Sequence, residues 1–292
     1  MSRALVTGAG GFIGRQALAA LVARGFEVHA ADVAEPPADA SGDVHWHRAD
    51  LLDADGARAL LEDVAPSHLL HLAWYAVPGS FWASPENLRW AQATLGLLQA
   101  FEGRAVVAGS CAEYDWSSEQ PLHEWASALR PRTLYGACKG AVGTVATALG
   151  HATGRVFFLH GPGEHPDRLV SSVVRRLLAG ERAPVSHGDQ VRDFMHVADV
   201  GGAFAALLDS GVVGPVNIGS GAGVPVRRIV ELLAEEAGRP DLVGWGEVPV
   251  APDDPPRIVA DARRLHDEVG FAPRFTLEEG LRDTVAWWRA RA

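Results

Sequence analysis

Lysine is almost missing from this chain: of its 26 basic residues Lys139 is the one lysine, and all the others are arginine. Cysteine is nearly as scarce. Cys111 and Cys138 permit at most one disulfide, and neither has a His or Cys at ligand spacing beside it, so a disulfide scaffold is excluded and no metal site is expected. No apolar run approaches the roughly 20 residues of a membrane-spanning helix, and the longest, such as 17–23, soon meets charge. An excess of positive charge is missing too. The net charge is −10 and the arginines are scattered among acids, which excludes generalised nucleic-acid binding because phosphate neutralisation needs clustered cations. The chain opens on a strand-like run, Arg3–Thr7, without the cationic, apolar and small-residue succession of a secretory signal. The expectation is a soluble, cytoplasmic protein with no membrane partner. Internal repeats and low-complexity segments are also lacking.

What is present, over 292 residues, is alternation. Short apolar or β-branched runs at 4–7, 27–31, 68–72, 104–109 and 155–159 are interleaved with helical periodicity at 12–24, 54–64, 85–101 and 132–150. Such alternation predicts an α/β fold, a doubly wound parallel sheet with helices on both faces. Beyond residue 160, Pro- and Gly-rich connections separate helices near 166–180, 198–209, 225–237 and 277–291. These predict a smaller C-terminal α/β substrate-binding domain formed by 161–190 and 214–292. The first domain, 1–160, is rejoined by about 191–213.

The first strand runs into Gly8-Ala-Gly-Gly11-Phe12-Ile13-Gly14. Glycines there allow a tight turn, close approach of backbone N–H groups to a pyrophosphate, and tight packing of the following helix, whose N-terminus favours anions. The plainer reading is an ordinary strand-to-helix turn. Asp32, at the end of the second strand, adds the acid that binds an adenosine ribose and repels a 2′-phosphate, unless it merely caps a loop. NAD(H) is therefore favoured as cofactor, with NADP(H) possible.

Tyr135 and Lys139 stand four residues apart and so share one face of a helix. A nearby cation stabilises phenolate and lowers the tyrosine pKa from ~10, making the hydroxyl an acid or base near neutrality. A surface Tyr–Lys pair is the alternative, but a chain that uses arginine at every other basic position has kept lysine here. A compact ammonium reaches both a ribose hydroxyl and a phenol, which a planar guanidinium does not do equivalently. Ser110, at the carboxyl end of the 104–109 strand, is placed to hydrogen-bond a reacting oxygen, or to cap a turn.

Taken in order, TGAGGFIG (7–14), HLAW (71–74), GSCAEYD (109–115), YGACK (135–139), RDFMHVADV (192–200) and NIGSG (217–221) resemble the extended short-chain dehydrogenase/reductases of the NAD-dependent epimerase/dehydratase type, which act on nucleotide sugars. The resemblance covers nearly the whole chain and implies a Rossmann domain with the active site between two domains. It implies that Ser110, Tyr135 and Lys139 are the catalytic triad. It implies further that Asp50 and Leu51 lie along the adenine, that Leu72 and Ala73 line the cofactor crevice, and that Tyr114, Arg192 and Arg257 meet the substrate, the two arginines at its diphosphate.

Departures from the family pattern narrow the expected activity. Dehydratases of this type commonly carry Asp-Glu after the Ser/Thr, where this chain has Cys111 and Ala112, so 4,6-dehydration is not expected. Phe158 replaces a usual Asn, His160 a usual Tyr, and Trp90 another usual Asn. The Ser-Cys-x-Glu-Tyr segment is similar to that of 4-ketosugar reductases, so the expected reaction is NAD(P)-dependent reduction of a 4-keto-(deoxy)sugar nucleotide. The alternatives are a nucleotide-sugar 4-epimerase with tightly bound NAD, and a non-catalytic NAD-sensing protein. Trp74, Phe81, Trp82 and Trp125 are candidate aromatic lining of the cleft. The many small residues of helix 132–150 imply a homodimer through it and helix 85–101, or else close packing of that helix on its own sheet.

Overall fold

Alternation decides how the first strand is used. In β1 (Arg3–Thr7), Ala4 and Val6 point to one side and Leu5 to the other, and all three are buried, so the strand lies in a sheet covered on both faces. The computed structural model describes residues 2–38 and 42–292; residue 1 and residues 39–41, inside the first predicted domain, lie outside the described residues. After β1 come α1 (Phe12–Ala23), β2 (Glu27–Asp32), β3 (Val44–Arg48), α2 (Ala54–Val64), β4 (His68–His71), α3 (Glu86–Ala100), β5 (Arg104–Ser110), α4 (Leu134–Ala148) and β6 (Ala152–Val156). The rest contributes β7 (Phe158–His160), α5 (Leu169–Leu178), β8 (Ala183–Pro184), β9 (Val191–His196), α6 (Val197–Asp209) and β10 (Gly214–Ile218), then β11 (Gly223–Pro225), α7 (Val226–Ala237), β12 (Val243–Gly244), β13 (Arg257–Ile258), α8 (Arg263–Asp267) and α9 (Leu277–Arg289).

Seven strands form one sheet in the order β10-β6-β5-β4-β1-β2-β3, with every pairing parallel. This is the Rossmann-like arrangement expected. The order reverses between β1 and β4, and ligands of doubly wound sheets bind in the crevice at that point, beyond the carboxyl ends of the strands. Residues of α1 and α6 build the core on one face, and residues of α2, α3 and α4 build it on the other. Side-chain caps fix where helices begin: Asp53 accepts from the Asp55 N–H ahead of α2, and Thr133 from the Gly136 N–H ahead of α4.

A third core gathers α5, α7 and α9 beside a small sheet of β11, β9 and β13 joined by β7. Three sequence expectations change. Residues 214–218, placed with the substrate-binding part, form the seventh strand of the large sheet by pairing with β6. Residues 191–196 sit in the small sheet, and only α6 of the predicted 191–213 segment returns to the large one. β3, absent from the predicted runs, is a full parallel partner of β2. Among the described residues no helix is long and apolar enough to cross a membrane.

Candidate active site

The glycine turn is shaped by contacts that no side chain would permit. Gly8 has φ +68°, and a Cβ on it would stand 2.7 Å from the Ala73 nitrogen; one on Gly14 would stand 2.3 Å from the Gly8 carbonyl oxygen. Gly8 and Ala73 therefore meet backbone to backbone across the switch point, and the Leu72 N–H donates to the Thr7 carbonyl at 3.1 Å. α1 starts at Gly11 without a side-chain cap, and Phe12 and Ile13 follow in its first turn, leaving amide N–H groups for an anion. Asp32 accepts from the Gly10 N–H at 3.0 Å and from Ala34 at 3.2 Å, so its carboxylate lies against the turn. Asp50 turns back on the Leu52 N–H at 2.9 Å, and Leu51 packs in the same cluster as Ala31 and Ala73. This set fits a dinucleotide: uncapped amides for its diphosphate, an acid for a ribose and an apolar wall between.

Ser110 meets the capping reading in the structure. It ends β5 and caps a short turn, Cys111–Glu113: its hydroxyl accepts from the Ala112 N–H at 3.2 Å, while Glu113 accepts from the Ser110 N–H at 2.8 Å. Glu113 is wholly buried and pairs with Arg155 at 2.7 Å. Arg155 also donates to the Tyr114 hydroxyl at 3.0 Å, which donates in turn to Asn217 Oδ1 at 2.7 Å. Tyr114, expected at the substrate, is thus fully buried scaffold, its hydroxyl committed on both sides. The sequence reading missed Glu113, Arg155 and Asn217 as supports, although the first and last stand in motifs it quoted.

Gly136 brings α4 to this turn, since a Cβ there would lie 2.2 Å from the Ala112 carbonyl oxygen. Tyr135 consequently sits near Ser110, whose side chain acts to lower the pKa of the phenol. Rings surround it: Phe81 at 4.9 Å, Trp82 at 5.7 Å and Trp74 at 6.4 Å between centroids. Trp125, the fourth expected aromatic, lies instead against Gly214 and Arg264. Burial pushes the phenol up to about 12, only partly opposed by Ser110. Lys139 is buried on the same helix. Its Nζ donates to the Ala108 carbonyl at 2.7 Å and lies 3.8 Å above the Trp74 ring, and it is 5.9 Å from the centre of the Tyr135 ring. Burial, opposed by Glu113, draws the ammonium down to about 7.

Trp74 is itself fixed by Asn87 of α3, whose Oδ1 accepts its indole N–H at 2.9 Å. Trp90, in the position of a usual Asn, is half-buried and packs against the core of this face, while Asn87 also donates to the Phe81 carbonyl at 2.6 Å. Behind the glycine turn, His71 joins Thr7 (2.8 Å) to Thr94 (2.9 Å), and burial holds its imidazole at about 3, hence neutral. Neither role was read from the sequence; the His of HLAW was the available signal.

Arg192 and Arg257 are not brought to one face. In the β9–β13 register Arg192 stands opposite Ile258 and Arg257 opposite Val191, so alternation sends the two guanidinium groups to opposite sides. Arg192 is near enough to Cys111 to act on its thiol, and it pairs with Asp254 at 2.8 Å. The Arg257 Nε is buried without a protein acceptor.

Comparison with known proteins agrees with this fold. The chain is 30% identical, over 97% of its own length and 93% of the relative's, to a dTDP-glucose 4,6-dehydratase of Streptomyces griseus. It is also 30% identical, over 99% and 98%, to a GDP-6-deoxy-D-mannose reductase of Pseudomonas aeruginosa. Its fold superposes with a TM-score of 0.86 and 28% identity, over 99% and 100% of the two chains, on the UDP-glucose 4-epimerase of Thermus thermophilus in complex with NAD. Residues 4–219 match the family model, and the chain belongs to the NAD-dependent epimerase/dehydratase family.

Proposed function

We propose that this protein reduces a 4-keto sugar nucleotide with NADH. The observation that carries the reading is the pair that follows Ser110, Cys111 and Ala112, neither of which is a carboxylic acid. Tyr135, pushed up to about 12, is held as a phenol, the form that gives a proton to a carbonyl oxygen becoming an alkoxide. Cys111, beside Ser110 and pushed to about 12 by burial, stays a thiol, and Ala112 has no titratable group, so neither supplies the base that removal of water needs. The reductase relative agrees with this direction; the dehydratase relative is named for an elimination to which these positions offer no acid or base.

The residues that hold the cofactor in this reading are the Gly8–Gly14 turn, Asp32, Asp50, Leu51, Leu72 and Ala73, with Lys139 at the nicotinamide ribose. Bound there, NADH supplies the hydride. Ser110 donates to the carbonyl oxygen and steadies its developing charge, and Tyr135 delivers the proton to the same oxygen. Arg192 takes a phosphate of the nucleotide in exchange for Asp254. Asp32 selects NAD(H): Asp32→Ala shifts kcat/KM toward NADP(H), whereas a wild type that already prefers NADPH tenfold removes that role.

The decisive assay offers NADH with UDP-, dTDP-, GDP- and CDP-linked 4-ketosugars and follows its absorbance. Net consumption with one nucleobase class is expected. Interconversion of sugars without net consumption, by protein that keeps NAD through gel filtration, makes it an epimerase instead. A homodimer through α3 and α4 belongs to the same proposal. It is supported by exposed apolar side chains: Ala141 and Val145 on α4, Leu149 just past its end, and Leu88 on α3. Gly143, a small residue that suggested an interface, instead faces Glu113 and Thr153 within its own fold.

A further inference from the structure

Away from the triad, at the outer edge of the large sheet, β2 and β3 carry an array of histidines. Their parallel register sets His29 directly opposite His45, with Glu27 two residues before His29 and His47 two residues after His45. Alternation along each strand puts all four on one face of the sheet. The imidazoles of His29 and His45 stack with centroids 4.9 Å apart, and ligand atoms of Glu27, His29 and His45 all lie within 4.8 Å of one another.

We propose that Glu27, His29 and His45 form a binding site for a divalent cation of borderline softness, Zn²⁺ being the best match. Two neutral imidazole nitrogens and one carboxylate, with a fourth position left to solvent, are a donor set that zinc takes in tetrahedral geometry. His29 Nε2 and Glu27 Oε1 are already 3.1 Å apart, near the roughly 3.3 Å that separates two ligands of a tetrahedral zinc with bonds of about 2.0 Å. His45 is exposed, so its ring is free to swing the remaining distance.

The surroundings provide what a ligating histidine needs. With Nε2 on the metal, His29 keeps Nδ1 for the hydrogen bond to His47 Nε2, 2.8 Å away. The other nitrogen of His47, Nδ1, faces the Asp63 carboxylate of α2 at 3.6 Å. A chain from metal through His29 and His47 to an acid fixes the tautomer and turn of the ligating ring, an arrangement usual behind metal-bound imidazoles. Arg3 donates to the same Glu27 Oε1 at 3.1 Å, which holds the carboxylate in place as an anion with lone pairs still open to a cation. Binding joins two neighbouring strands by their side chains and so clamps β3, the edge strand, to β2.

The test uses the full chain, stripped with a chelator and titrated with ZnCl₂ by calorimetry, with thermal unfolding alongside. One Zn²⁺ per chain is expected, with a rise in the thermal midpoint that grows with free Zn²⁺. His45→Ala removes a ligand at an exposed position; it should leave the metal-free midpoint unchanged and weaken Zn²⁺ binding by at least about 100-fold. Zn²⁺ bound as tightly by H45A as by the wild type, or no binding by the wild type tighter than millimolar, overturns the proposal.

Discussion

In the proposed reaction Tyr135 and Lys139 act through their protonation, and each makes a prediction. Tyr135→Phe keeps the ring within its aromatic surround and removes the proton, so kcat should fall by about 10²–10⁴-fold. NADH affinity, measured by fluorescence titration, should stay within a few-fold; retention of more than a tenth of the activity removes Tyr135 from the mechanism. Lys139, drawn down to about 7, loses its charge as pH rises through neutrality, and with it a donor to the ribose. We expect kcat/KM for NADH to decline above pH 7, and the decline to vanish in Lys139→Arg, whose guanidinium stays charged. A wild-type profile flat between about pH 6 and 9 rejects this. Both residues were legible in the sequence because a helix puts positions four apart on one face. Their electrostatics were not: spacing says that a phenol and an ammonium are neighbours, while the fold decides that the ammonium is buried over the Trp74 ring and bonded to the Ala108 carbonyl.

Among the elements, repeated apolar runs were the readable part. β1, β4 and β5 are buried on both sides and announce themselves by composition. β3 does not, since Val-His-Trp-His-Arg carries polar residues on an edge where one side meets water, and only its pairing with β2 reveals a strand. β6 was displaced toward Arg155 because Ala152 and Gly154 lack the bulk that marks a strand. Invisible in the same way were the long-range polar supports, Glu113 with Arg155 and Tyr114 with Asn217, 103 residues apart, because pairing of that kind leaves no periodic trace. The segment leading into α5 yields a stability prediction. Glu164 accepts from the Ser171 hydroxyl at 2.7 Å, and burial pushes its carboxyl up to about 7 from the usual 4.5. The folded state therefore binds the proton more tightly than the unfolded one; its stabilising effect is full below about pH 4.5 and is lost as pH rises through about 7. Glu164→Gln keeps the acceptor without the charge. In urea unfolding it should be more stable than wild type at pH 8, by up to about 3 kcal/mol, and equal near pH 4. No gain at pH 8 discards the account.

The assembly is decided at the scale of the whole molecule. Ala141 and Val145 face outward on α4, and Ala141→Glu with Val145→Arg should turn a dimer into a monomer of lower activity, read by light scattering. A wild type that is already monomeric at micromolar concentration defeats the dimer proposal whatever the variants do. The backbone contact between Gly136 and Ala112 reaches further. It welds α4 to the turn after β5, so Ser110 and Tyr135 ride on one block whose spacing no ligand has to create. Arg192 rides on β9, in another sheet with another core. In the proposed reaction, bond-making and the grip on the diphosphate therefore rest on different parts of the chain, so that drift in the small sheet can alter how a sugar nucleotide is held while the chemistry passes on unaltered.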